Sequence, residues 1–367
     1  MPTATPPPFQ KIALINFGGI GDEILFTPVI QEIRRHFPTA HLTLFLEGRS
    51  RAAADLLKGV DRIEEVQIQG QPKLLVFIKL AWLLRRKYFD AVLSAGSSPF
   101  ISILLKLSGI PYRVGFQTEQ TIQKTLSQKL LTQQAPLNRS SHLYAAEMYF
   151  ALAKAFLIPF AGIAYQPPAN IMPKLRAIPD HLKQWANNLL ESASSGSKIL
   201  VHPGVSRVSV EKGIIKGWPA EQWAELIQRL AQHHAVFLVG GPDDQDIIRE
   251  IRQKLPSDLS HFTDLNGQTK NLQELAALID ASDLLVSVDS APLHIAIGLN
   301  QRVVALFGPT NEEQLLPKAP KFKAVRRADL FCRPCLWHKL PKNCHNAVCL
   351  NIDVDTMEAA VQDLLAL

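Results

Sequence analysis

The strongest constraint on this chain is an alternation that occurs twice. Short apolar runs are followed by segments in which apolar residues recur at helical spacing. In the first half the runs are KIALINF (11–17), HLTLFLE (41–47), FDAVLSAG (89–96) and YRVGF (112–116). After the first of them, Phe26, Val29, Ile30, Ile33 and Phe37 line one helical face, with Glu32, Arg34 and Arg35 on the other. The second half repeats the pattern with KILVHPG (198–204), AVFLVGG (235–241), DLLVSVDS (283–290) and RVVALFGPT (302–310). Helices are expected around 219–232, 271–281 and 291–299, and as a terminal helix at the end of the chain. Strands that alternate with helices build parallel sheets covered on both faces.

Between the halves, PFAGIAYQPPANIMP (159–173) holds four prolines and no helical pattern, which predicts a linker. The expected organisation is a disordered leader (1–10), a Rossmann-like domain over 11–165, a second over 174–350, and a terminal helix over 351–367. A chain of 367 residues with 47% hydrophobic content can fill two such cores. The charge balance, 39 − 33 = +6, suits an anionic substrate or membrane surface. It is too diffuse for nucleic acid, because no dense Lys/Arg run occurs. The opening MPTATPPPFQ lacks the cationic start and apolar core of a signal peptide. KLLVFIKLAWLLRRK (73–87) is interrupted by Lys79 and ends in three cations, too short and too charged to span a bilayer. Two readings stay open for it: a helix packed on the sheet with a solvated basic end, or an interfacial helix meeting anionic headgroups. The expected location is cytoplasmic, with peripheral contact at the inner membrane face under the second reading.

The turn after the first strand, NFGGIGDEIL (16–25), resembles the opening of a dinucleotide fingerprint, and Glu47 could then hold a ribose. Ile24 occupies the third glycine position, however, and Asp22 puts a carboxylate where a pyrophosphate would bind the helix terminus. Two anions at one terminus repel. Asp22 either caps the helix or, with Gly18, Gly19 and Gly21 leaving it uncovered, serves as a general base at the mouth of the sheet. In the second half Ser290 is placed to cap a helix, Pro292 sits in its first turn, and the amides that follow face the open end of the sheet. Gly240 and Gly241 permit close approach to the backbone, and Asp243 or Asp244 could bond a ribose hydroxyl.

INFGGIGDEILFTPVIQEIRRHFP resembles the first motif of the heptosyltransferase family, glycosyltransferase family nine. The likeness continues through HPG (202–204), KGWPAEQWAELIQRL (216–230), VFLVGGPDD (236–244), the long segment 264–310 and CRPC (332–335). The resemblance implies a GT-B fold, two facing Rossmann-like lobes with the acceptor on the first and the nucleotide-sugar on the second. It also implies that the last helix packs back on the first lobe. It implies that Asp289, Ser290, Ala291 and His294 line the donor diphosphate and sugar and that Lys216 neutralises the leaving phosphate; Ser206 and Arg207, earlier in the same stretch, could also reach it. The implied reaction is inverting transfer of heptose from ADP-heptose to a lipopolysaccharide core or related glycan, with Asp22 as base. The implied partners are thus a nucleotide-sugar donor and a glycolipid or glycan acceptor. SAGSSPF (94–100) departs from the acidic-polar segment that members often carry there, which leaves the acceptor open. A nucleotide-sugar epimerase, an NAD-dependent dehydrogenase and a non-catalytic nucleotide-sugar binder are the alternatives.

No cofactor is expected for the chemistry. The Asp-x-Asp spacings at 244–246 and 353–355 are common by chance. Cys332, Cys335, Cys344 and Cys349 have the spacing of a zinc knuckle, so a structural zinc or four free thiols are the options.

Overall fold

The computed structural model describes residues 9–117, 129–137, 142–161, 165–191, 196–336, 344 and 347–367. The chain divides into two compact units, one up to Arg176 and one from Ala177. Each holds a six-stranded sheet in which every pairing is parallel.

In the first unit the strands are β1 (Lys11–Ile15), β2 (His41–Glu47), β3 (Arg62–Val66), β4 (Ala91–Ser94), β5 (Tyr112–Gln117) and β6 (Gln133–Pro136). Their order is β3-β2-β1-β4-β5-β6. The helices are α1 (Ile20–Leu25), α2 (Thr27–His36), α3 (Lys73–Arg86), α4 (Pro99–Leu107) and α5 (Ala145–Ala161). The single helix expected after the glycine loop is two, broken at Phe26. Pro28 has no N–H to give the Ile24 carbonyl, and the Thr27 hydroxyl donates to that carbonyl instead, at 2.7 Å.

The second unit contains β7 (Lys198–His202), β8 (Ala235–Leu238), β9 (Phe262–Asp264), β10 (Leu284–Val288), β11 (Val303–Phe307) and β12 (Phe322–Arg326). Read from the β9 edge, the order is β9-β8-β7-β10-β11-β12, the same 3-2-1-4-5-6 winding. Its helices are α6 (Asp180–Leu190), α7 (Arg207–Glu211), α8 (Ala220–Leu230), α9 (Gln245–Lys254), α10 (Leu272–Ala281), α11 (Ala291–Gly298), α12 (Glu312–Leu315) and α13 (Val354–Leu365).

Three expectations change. The leader does not extend to residue 10. Phe9 sits in a cluster with Phe37, Tyr112, Phe156 and Phe160, and the Gln10 N–H donates to Asp90 at 2.7 Å; residues 1–8 lie outside the described residues. The linker begins later than residue 159, because α5 runs through Pro159 to Ala161. The terminal helix, expected on the first lobe, is built into the second. Met357, Ala360, Val361 and Leu364 are buried in one core with Trp223, Leu230 and Val304, and Arg229 on α8 pairs with Asp355 and Glu358. An amphipathic terminal stripe buries against whichever apolar surface is open to it. Here that surface is the face of β10 to β12 beside α8.

Candidate functional site

A parallel sheet wound in this order has a switch point where chain connections leave in opposite directions, and ligands collect beyond the carboxyl ends of the strands there. In the first unit the switch lies between β1 and β4, in the second between β7 and β10.

Beyond β1 the Asp22 carboxylate is gripped at both oxygens. The Gly19 N–H donates to Oδ2 at 2.7 Å, and the Tyr149 hydroxyl, from α5, donates to Oδ1 at 3.2 Å. Asn16 holds the loop from below, its side chain donating to the Asp22 carbonyl at 3.2 Å. Asp22 therefore does cap the turn, reaching back three residues, and it stays half-buried rather than covered. The glycines act differently from the expectation. A β-carbon at Gly18 would lie 2.2 Å from the Asp22 Cβ, so this glycine makes room for Asp22 itself. Gly19 is the helix N-cap, and Gly21 lies in the first turn of α1. Glu47, the ribose candidate of the dehydrogenase reading, is buried and paired with Arg49 at 2.7 Å.

Beyond β10 the second unit pairs two of the expected residues. Lys216 Nζ lies 2.7 Å from Asp289 Oδ2, with side chains 16% and 5% exposed. Burial pushes the Asp289 carboxyl up, but the Lys216 ammonium, then His294 and Thr310, outweigh it and hold the carboxyl below its usual range. Ser290 occupies the N-cap position of α11, with Ala291 next, but its hydroxyl does not cap. It lies 3.4 Å from the Ser287 hydroxyl instead. His294, one turn in, is buried.

The glycine pair after β8 forms a second loop of the Asp22 kind. The Gly241 N–H donates to Asp244 Oδ2 at 2.8 Å, and that oxygen is 3.3 Å from His202 Nε2. Gly240 serves packing, since a β-carbon there would meet Ile248 Cδ1 at 2.3 Å. Asp243 is exposed and accepts a 3.4 Å contact from the Arg207 N–H. Ser206 caps α7 by accepting from the Ser209 N–H, and Arg207 pairs with Glu211.

Sequence reasoning missed the brace behind this site. Arg333, inside the CRPC motif, donates to the Gly308 carbonyl at 3.0 Å and the Thr310 carbonyl at 3.0 Å, and pairs with Glu312. The cysteine segment thus fastens the turn after β11. Cys335 and Cys349 are buried and Cys332 is partly so. Burial, and next the neighbouring thiols, push the Cys335 and Cys349 thiols up. Among the described residues no group of three or more His, Cys, Asp or Glu is arranged to hold a metal. Most of the stretch between Cys335 and Cys349 lies outside the described residues.

Known proteins resemble this chain over most of its length. Lipooligosaccharide heptosyltransferase 2 of Haemophilus influenzae is 27% identical over 86% of this chain and 88% of its own length. Lipopolysaccharide heptosyltransferase 2 of Escherichia coli K12 is 25% identical over 86% of this chain and 88% of its own. The solved E. coli ADP-heptose LPS heptosyltransferase II superposes with a TM-score of 0.72 at 22% identity, covering 97% of this chain and 98% of that one, which shows the GT-B fold. A Listeria monocytogenes structure described as a UDP-N-acetylglucosamine 2-epimerase is more distant, with a TM-score of 0.51 at 13% identity over 98% of this chain and 88% of that one. The profile of glycosyltransferase family 9 (heptosyltransferase) matches residues 77–345, and the chain belongs to that family.

Proposed function

We propose that this chain transfers a heptose from ADP-heptose to a lipopolysaccharide core or related glycan, inverting the anomeric centre without a metal. The observation that carries the reading is Asp22, held by donors on both oxygens at the exit of the central strand. A carboxylate so oriented can take the proton of an acceptor hydroxyl as its oxygen attacks the anomeric carbon. The bond from that carbon to the diphosphate breaks, and its electron pair leaves with the nucleotide. Lys216 meets the departing charge. One of its three N–H groups is directed to Asp289, and an ammonium carries two more that can meet phosphate oxygens. Asp289 then works as a positioning residue: an anion against the phosphate would repel it, but an anion behind Lys216 keeps that ammonium aimed. The uncapped amides of Ser290 and Ala291 add donors at a helix N-terminus. His294 flanks the same opening, Gly241 admits close backbone approach, and Asp243, being exposed, suits a ribose hydroxyl. The test is transfer from ADP-heptose to a heptose-deficient core acceptor, with GDP- and UDP-linked sugars as controls and EDTA in a parallel arm. ADP-dependent transfer that survives EDTA is expected. Release of free sugar without acceptor favours the epimerase alternative, and loss that Mg²⁺ restores overturns the metal-free mechanism.

We also propose that the first unit meets an anionic membrane surface through α3. Among the described residues no helix is long and apolar enough to cross a membrane. Yet α3 buries only Leu80 and Leu84 and leaves Leu74 68%, Ile78 53% and Trp82 56% exposed. Those three recur every fourth residue, forming one stripe opposite the buried pair. Arg86 lies over the Trp82 ring at 4.5 Å, and Arg85 is exposed beside it. Lys87 is occupied by Glu64 at 2.6 Å, so the two arginines supply the headgroup contact. Flotation with anionic vesicles should be salt-sensitive and weakened in Arg85→Gln/Arg86→Gln. Equal indifference to anionic and neutral vesicles would leave α3 without a membrane role.

A further inference from the structure

One ionisable side chain in the Asp22 loop has no part in the proposed reaction. Glu23 follows Asp22 on α1 and is fully buried. Its Oε2 is enclosed without a hydrogen-bond partner, and its Oε1 lies 3.5 Å from the Ser50 hydroxyl. Asn16 and the Gly18 backbone stand against it. These two also build the Asp22 loop: Asn16 holds the Asp22 carbonyl, and Gly18 leaves the space its side chain fills. An acid in the first turn ordinarily points to water and offsets the helix dipole. This one is turned inward, where an unpaired carboxylate is costly.

We propose that Glu23 is a positioning residue for Asp22, bracing the Asn16–Gly18 turn from beneath and so setting how Asp22 is presented. The inference rests on the reading of Asp22 as the base. Among the described residues the charged group acting on Glu23 is Asp22 on its own helix, which Tyr149 on α5 meets in turn, while the packed segment after β2 presents the neutral Ser50 hydroxyl. Burial, and next the Asp22 charge, hold the Glu23 carboxyl well above its usual range. It therefore braces the turn as an un-ionised acid whose oxygen accepts from the Asn16 side chain and the Gly18 N–H. Ionised, it would place a second anion beside the base and press the turn open. Transfer should decline on the alkaline side as Glu23 loses its proton.

The test compares Glu23→Gln and Glu23→Ala with wild type. Glutamine reproduces the un-ionised acid in shape and keeps a neutral accepting oxygen, so kcat near neutral pH should hold while the alkaline decline disappears. Alanine should lower kcat about tenfold or more through a loosened base, with the donor KM unchanged. A second readout does not need activity. A raised folded-state pKa gives stability that is fully present below the unfolded value near 4.5 and is lost as pH rises towards the folded one. Wild-type Tm should accordingly fall relative to Glu23→Gln as pH rises from that value. Parallel Tm profiles, or an alanine variant that turns over like wild type, overturn the inference. A wild-type chain that transferred no sugar while the Tm profiles diverged would sink the glycosyltransferase reading and leave the buried acid standing.

Discussion

The two units carry the same loop in different places. In each, a glycine N–H donates to an aspartate three residues on, Gly19 to Asp22 and Gly241 to Asp244. In each, another glycine is compressed against that aspartate: a β-carbon at Gly18 would lie 2.2 Å from Asp22 Cβ, and one at Gly204 would lie 1.8 Å from Asp244 Oδ1. The surroundings differ. Asp22 leaves the central strand β1, stays half-buried, and is met by a tyrosine hydroxyl. Asp244 leaves β8, one strand away from the switch point, and is buried against His202. Capping chemistry alone therefore does not mark a site. The same carboxylate is a structural anchor where it faces inward, and a candidate base where it stays open at the strand that begins the sheet's reversal.

The comparison can be broken by exchanging each aspartate for asparagine. Asp22→Asn should cut transfer by about 10²- to 10⁴-fold with donor affinity retained, and leave Tm nearly unchanged, since an amide oxygen still accepts from Gly19. Asp244→Asn should do the reverse, costing about 1.5–3 kcal/mol of stability, because the buried contact with His202 loses its charged partner while the Gly241 N–H is still accepted. Similar rates in wild type and Asp22→Asn would make both loops caps. The glycines sharpen the contrast at smaller amplitude. Gly18→Ala pushes on the Asp22 Cβ, close to the backbone and unable to swing aside, so kcat should fall about 10²-fold by displacement. Gly204→Ala meets the buried Asp244 carboxyl at Oδ1 and Cγ, and a loss of about 1–3 kcal/mol in stability is expected from overpacking. Chemical denaturation and single-turnover rates on the same samples separate the two effects.

What was legible in the sequence follows the same division between inside and edge. The eight strands read from apolar runs are β1, β2, β4, β5, β7, β8, β10 and β11, all interior. The four that escaped, β3, β6, β9 and β12, are the sheet edges. Edge strands face solvent along one side, so their sequences, such as RIEEV in β3, lack a continuous apolar run. Asp22, Lys216 and the DSAPLH turn were readable because each lies within a local motif. Their partners were not, because pairing is set by packing between distant segments. Tyr149 reaches Asp22 across 127 positions, and Lys216 finds Asp289 across 73. Nothing local distinguishes Glu23 from an ordinary first-turn acid, nor Arg333 from a surface arginine. The misplacement of the last helix has the same origin, since an amphipathic stripe does not say which core it joins.

The smallest expected effect is a pH dependence whose sign differs between the two loops. For Asp244, burial pushes the carboxyl up, but His202 and the Gly241 N–H outweigh it and hold it below its usual range. A depressed folded-state pKa gives stability that is present above the unfolded value near 3.8 and is lost as pH falls through the folded one. The Tm gap between wild type and Asp244→Asn should thus be widest near neutrality and close in acid. Glu23, in the other loop, is raised, and its gap to Glu23→Gln should instead open as pH climbs. The mirror-image profiles are specific to the structure described. If both gaps moved in the same direction with pH, the environments assigned to the two loops would be wrong, however similar their hydrogen bonds.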